Sequence, residues 1–200
     1  MHDYNIKKLF SSPIYNSKVE LNSELELLKS LEFGCERSGK VKITENTNLL
    51  NDPLFAELKT QVDNHFETYI REVLHINSKQ KFRMIKSWGV RSQEGEDSII
   101  HQHANSIFSG VLYLRKPNNT GCLTFFKKSP AFPDNIEFDI DEYNIYNSSR
   151  WGFDAEESEI YIFPSNIEHM VAKNKSRKER YSIAFDYWVH EGFAGITNSN

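Results

Sequence analysis

The sequence predicts a mainly β protein with supporting helices, an antiparallel double-sheet barrel of the jelly-roll, cupin-like type. Helical patterns are confined to the first 80 residues, short β-branched and aromatic segments follow from Lys81, and turn signals such as Pro117-Asn-Asn-Thr-Gly121 separate them. At 200 residues the chain can bury one real core. We expect a single domain over 1–200, with helical support in 1–80 and the jelly-roll core in 81–190.

A short helix is expected within 22–33, where Leu25, Leu28 and Leu31 recur among strong helix formers. Loop and extended chain should follow to about Asn51. For the second helix, Asp52 can cap, Pro53 suits the first turn, and Leu54, Leu58, Val62, Phe66, Ile70 and Leu74 make one apolar stripe. That helix should buttress one sheet. Strands are expected at 82–91, 107–115, 122–126, 159–164 and 181–189. The stretch from Ser129 to Trp151 is polar and aromatic, with Pro130 and Pro133, and long for a strand connection. It reads as a loop over the barrel mouth, and Phe132 to Trp151 as a lid or substrate contact.

Composition excludes several classes. Apolar runs are too short to span a bilayer. Cys35 and Cys122 stand far apart, in no metal-binding or redox spacing, and read as reduced, structural thiols. The net charge is −4, and basic residues are scattered apart from Lys173-Asn-Lys175 and Arg177-Lys-Glu-Arg180, which argues against nucleic acid as the main partner. The opening residues lack the apolar stretch of a secretory signal, so the expected location is cytoplasmic. A strand edge or the first helix could support a homodimer.

The chemistry concentrates between Trp88 and Trp188. His101 and His103 are one residue apart, so on a strand both imidazoles project from one face and can reach one metal ion. His169 follows the apolar run Ile160-Tyr-Ile-Phe-Pro-Ser165, near a strand end, and could complete one face of an octahedron. Taken alone, such histidines are better explained as partly exposed polar residues or satisfied core groups near strand ends, which is how His2, His65, His75 and His190 are read. In Arg180-Tyr-Ser182, alternation puts the guanidinium and hydroxyl on one face, where together they can bind a carboxylate. The plain alternative is an exposed Arg180 paired with Glu179 or Glu168.

Order and spacing together are more specific. His101-Gln-His103, Ser109-Gly-Val-Leu-Tyr113-Leu, Phe163-Pro-Ser165 before His169, Asn174-Lys-Ser176, and Arg180-Tyr-Ser182-Ile-Ala-Phe185 resemble the 2-oxoglutarate-Fe(II) oxygenase family over about half the chain. The resemblance implies a double-stranded β-helix holding Fe(II) and 2-oxoglutarate in its mouth. By that similarity His101 and His169 are metal ligands, Arg180 pairs with the distal carboxylate of 2-oxoglutarate, and Ser182 assists. Tyr113 is a further donor to the co-substrate, or else a core tyrosine with its hydroxyl at the rim.

Most enzymes of the wider superfamily use two histidines and a carboxylate, and His103 stands where the carboxylate is expected. Either His103 is the third ligand, which is the preferred reading, or a carboxylate arrives from elsewhere. Asp186 shares parity with Arg180 and Ser182, and Glu94 and Asp97 precede His101. The implied reaction consumes O2 and 2-oxoglutarate, releases succinate and CO2, and oxidises an unidentified substrate, by default through hydroxylation. Two other classes stay open at this point: a cupin-type metal enzyme that does not use 2-oxoglutarate, and a non-catalytic jelly-roll binding module.

Overall fold

The computed structural model describes residues 3, 5–7, 11–35, 40–127 and 138–191. The described residues include ten strands and two α-helices: β1 (Tyr15–Lys18), α1 (Glu24–Lys29), β2 (Phe33–Cys35), β3 (Lys42–Thr44), α2 (Ala56–Thr68), β4 (Lys81–Ser92), β5 (Phe108–Arg115), β6 (Leu123–Phe126), β7 (Arg150–Phe153), β8 (Glu159–Pro164), β9 (His169–Val171) and β10 (Arg180–Glu191). Seven strands form one sheet in the order β1-β8-β5-β10-β4-β3-β2, and three form a smaller sheet, β7-β6-β9. Every paired strand runs antiparallel. Two such sheets facing each other are the double-stranded β-helix expected from the sequence.

The large sheet is covered on both faces, which explains why β5 reads as an almost unbroken apolar run. On its outer face Phe108, Leu112, Ile162, Ile183 and Phe185 pack under Leu58, Val62, Phe66 and Ile70 of the α2 segment. Phe66 stacks on Tyr187 with ring centroids 3.7 Å apart. On its inner face Val111, Tyr113, Tyr161 and Phe163 meet Leu123 and Phe125 of the smaller sheet. The space between the sheets is therefore apolar toward β6 and β8, and polar along β10.

The helical buttress is shorter and less uniform than its stripe suggested. A 3-10 turn at Pro53–Phe55 precedes α2, and a π-helical turn at Tyr69–Val73 ends it. Asp52 caps the start, accepting the Leu54 N–H at 2.9 Å. The 3-10 turn rotates the side chains relative to an α-helix, so Leu54 is 66% exposed and Phe55 takes the buried position instead.

The segment from Ser129 to Trp151 also departs from expectation at its end. Arg150 and Trp151 belong to β7, paired with β6 at the edge of the smaller sheet, rather than to a loop. Residues 128–137 lie outside the described residues, and with them Phe132 and the first part of the expected lid. Among the described residues, 138–151 contributes none to the cavity between the sheets. Cys122 is a free thiol, and the side chain of Cys35 lies outside the described residues.

Candidate active site

The cavity between the sheets measures about 360 Å³ and is bordered by His101, His103, His169, Arg180, Ser182 and Asp186 among others. Pairing register puts these groups in rows. On the inner face of β10, Asp186 lies beside Ser109 and Lys86, Ala184 beside Val111 and Trp88, and Ser182 beside Tyr113 and Val90. Arg180 begins the same strand, opposite Ser92. One strand thus runs from the histidines at the mouth to a guanidinium at the base.

His101 and His169 face each other across an antiparallel bridge, each N–H donating to the other's carbonyl at 2.9 Å. His103, two residues on, is tied to the turn after β8 by its N–H donating to Ser165 O at 3.0 Å. The three ring centroids stand 4.5 to 5.2 Å apart. One ligand nitrogen from each ring lies within 4.8 Å of the others, close enough to share a metal ion.

Their tautomers follow from what each Nδ1 meets. Nδ1 of His101 lies 2.8 Å from Ile99 O, Nδ1 of His169 lies 2.9 Å from Ile167 O, and Nδ1 of His103 lies 2.6 Å from Asp186 Oδ1. Carbonyl and carboxylate oxygens only accept, so each Nδ1 carries the proton and each Nε2 keeps a free lone pair. Burial pushes the His169 imidazolium down to about 3 and lowers that of His101 as well. Both are neutral at ordinary pH, the form that binds metal.

The carboxylates that the sequence left as alternatives are placed differently. Asp186 is buried behind His103, accepting from that ring and from Ser109 Oγ at 2.6 Å. Neither Glu94 nor Asp97 joins the histidine cluster.

At the other end Arg180 is only 2% exposed and, among the described residues, forms no ion pair with any carboxylate, neither Glu179 nor Glu168. Its Nη1 donates to the carbonyl of Thr120. That carbonyl is presented by a turn only glycine can close: Gly121 has φ +89°, and a Cβ there would sit 1.9 Å from Ala172 O. Beside it, Tyr113 is fully buried with a hydroxyl that, among the described residues, has no hydrogen-bond partner. Burial pushes this phenol up to about 12, so it remains a donor. A guanidinium stays charged in proteins, and a buried charge without a counterion is costly. A guanidinium without a carboxylate partner at the base of the cavity, with a buried hydroxyl that has no acceptor near it, fits an anionic group.

Both ends of the cavity therefore accept what the sequence resemblance called for. The family model for 2OG-Fe(II) oxygenases matches residues 86–186, half of the chain. The chain belongs to this family. It is a 2-oxoglutarate-dependent oxidoreductase that uses Fe(II) and 2-oxoglutarate. Comparison with curated proteins returns no match.

Solved structures share the oxygenase's fold at low identity. A 2OG-Fe(II) oxygenase-family oxidoreductase from Burkholderia pseudomallei aligns with TM-score 0.59 and 14% identity over 84% of this chain and 78% of that one. HygX from Streptomyces hygroscopicus, solved with nickel and 2-oxoglutarate bound, aligns with TM-score 0.61 and 11% identity over 88% and 82%. A Pseudomonas putida prolyl-4-hydroxylase aligns with TM-score 0.56 and 13% identity over 91% and 94%.

Of the residues singled out in the oxygenase's sequence, His101, His103, His169, Arg180 and Ser182 border one cavity, and Tyr113, which is not among its lining residues, stands opposite Ser182 on β5. The structure adds Thr120 against Arg180, Ser109 and Ser165 behind Asp186, and Trp88, whose ring lies 5.7 Å from that of His103. Parity along β5 and β10 could have paired Ser109 with Asp186, but only once their register was known.

Proposed function

We propose that the whole chain acts as one oxygenase domain in which His101, His103 and His169 hold Fe(II) through Nε2, and Arg180, Ser182 and Tyr113 hold the distal carboxylate of 2-oxoglutarate. The reaction is hydroxylation of a substrate. The observation that carries this reading is the buried, unpaired guanidinium of Arg180, on the same inner strand face as Ser182 and aligned with the histidine cluster. A cupin-type metal enzyme would have no use for that charge.

Bound Fe(II), with 2-oxoglutarate and O2, supplies the oxidising power, releasing succinate and CO2 as the substrate is oxidised. The protein's own groups do the positioning. Arg180 donates a charge-assisted pair of hydrogen bonds, Tyr113 offers the proton its buried hydroxyl otherwise cannot place, and Ser182, on Arg180's own strand, stands opposite Tyr113. Val111, Leu123 and Phe163 exclude water from the cavity wall. Trp88 and Lys86 border the cavity toward the histidines and the substrate side, and Ile43 and Val41 continue its apolar wall toward the rows of Ser182 and Arg180.

The test is an anaerobic titration of the Fe(II)-loaded protein with 2-oxoglutarate, read by the visible charge-transfer absorption of a chelated keto acid. The wild type should develop the band and Arg180→Ala should lose it at the same 2-oxoglutarate concentration while retaining iron. Iron binding with no band in the wild type would overturn the co-substrate assignment.

A further inference from the structure

A line of hydroxyls runs from Ser106, partly exposed, to the carboxylate behind His103. Ser106 Oγ donates to Ser165 Oγ at 2.7 Å, Ser165 and Ser109 are joined at 2.7 Å, and Ser109 donates to Asp186 Oδ1 at 2.6 Å. The same oxygen accepts from His103 Nδ1 at 2.6 Å. Counting protons fixes the direction of the middle bond. Ser109 has one proton and spends it on Asp186, so Ser165 donates to Ser109. Every proton in the chain then points toward Asp186, the arrangement that best satisfies a buried carboxylate.

Ser165 holds His103 a second way, since its carbonyl accepts the His103 N–H at 3.0 Å while its own N–H donates to Ile107 O at 2.9 Å. The Ser109-Gly110 and Pro164-Ser165 elements of the sequence thus converge on one imidazole. Gly110 keeps the strand crossing tight: a Cβ there would meet the Phe185 ring at 2.3 Å and Tyr161 O at 2.7 Å.

His101 and His169 are held differently. Their Nδ1 protons go to neutral main-chain carbonyls, whereas His103 alone is backed by a carboxylate. We propose that Asp186, braced by Ser109 and Ser165, is a positioning residue that makes His103 the third metal ligand. It supplies from one bond further out the negative charge that a facial triad places on the metal. The proposal rests on the reading of the three histidines as the metal site. A carboxylate on Nδ1 fixes the ring's orientation and tautomer and raises the basicity of Nε2. It also explains why position 103 carries histidine: a carboxylate there would face Asp186 with like charge.

The test is Co(II) binding, followed by competition titration for affinity and by the visible d–d spectrum for the ligand set. Asp186→Asn should weaken Co(II) roughly 10- to 100-fold, the usual effect of removing such an outer partner, and change the spectrum. Ser109→Ala should shift both in the same direction by less. In a His103→Ala background, Asp186→Asn should cost nothing further, because its effect passes through that ring.

Unchanged affinity in Asp186→Asn, or an equal loss with and without His103, overturns the proposal. Should Asp186→Asn fail to fold, the same cycle with Ser109→Ala decides by the same criteria. His101→Ala and His169→Ala separate this from the underlying reading. If they lose Co(II) and His103→Ala does not, the positioning proposal fails and a two-histidine site remains. If none of the three loses it, the metal site itself is overturned.

Discussion

His101 and His169 are locked to each other by reciprocal main-chain hydrogen bonds of 2.9 Å, so the distance between their rings is set by strand pairing and not by the rings themselves. Removing either imidazole should leave the bridge in place. His101→Ala and His169→Ala are therefore expected to retain the fold, shown by an unchanged circular dichroism spectrum. They should lose Fe(II) by more than the roughly 10- to 100-fold that an outer partner costs. Metal content after anaerobic dialysis measures this, and retention of one Fe(II) per chain in either variant would remove that residue from the ligand set.

Arg180 carries a buried charge that, among the described residues, no carboxylate neutralises. Replacing it with an apolar side chain of similar length should therefore be neutral or stabilising without ligand, as is common when a buried ionic group gives way to a hydrophobic one. Arg180→Met should unfold at the same or a higher temperature than wild type in the absence of 2-oxoglutarate. It should bind 2-oxoglutarate less tightly by about 1.5–3 kcal/mol, or roughly 10- to 150-fold, the worth of a hydrogen bond to a charged group. Thermal shift with and without 2-oxoglutarate reads both effects. A variant that still gains the wild-type shift would sink the carboxylate assignment.

Tyr113 offers a sharper sign. Its hydroxyl is buried and unpartnered, so deleting it removes a desolvation penalty of about 1–3 kcal/mol from the ligand-free protein. Tyr113→Phe should be more stable than wild type by an amount of that order and yet bind 2-oxoglutarate several-fold more weakly. Urea unfolding and 2-oxoglutarate titration test the two halves separately. A loss of stability with unchanged binding would return Tyr113 to the role of an ordinary core residue.

Much of this was legible in the sequence. Strands β4, β5, β6, β8 and β10 fall within one or two residues of their expected limits, because each is a run of β-branched or aromatic residues bounded by turn signals. Parity along β10 already put Arg180, Ser182 and Asp186 on one face, which is where they are found. Strands β1, β3, β7 and β9 have three or four residues each, too few for alternation to show, and their pairing comes from neighbours far along the chain. The α-to-3-10 change that exposes Leu54 has no periodic signature. The contacts that define the site are the least readable. The Thr120 carbonyl reaches Arg180 because of a left-handed Gly121, and Ser165 reaches Ser109 across 56 positions of chain, both products of register that no local pattern encodes.

The depressed histidines also set a pH dependence for the metal-free protein. His169 is held near 3 against 6.5 for an exposed imidazole, and His101 and His65 are lowered too, each chiefly by burial. Below pH 6.5 the unfolded chain takes up protons that the folded chain refuses, so stability must fall as pH falls, and it must level off above 6.5. Each histidine kept fully neutral adds about 1.4 kcal/mol per pH unit to that slope. The window from 6.5 down to about 5 isolates the effect, since ordinary carboxylates begin to titrate below it. Urea midpoints for the metal-free wild type should decline across this window, and His169→Asn should decline less steeply by about one proton's worth, His65 and His101 supplying the rest. Identical slopes for the two proteins would mean that His169 takes up its proton as readily in the folded chain as in the unfolded one, so that burial does not hold this ring neutral.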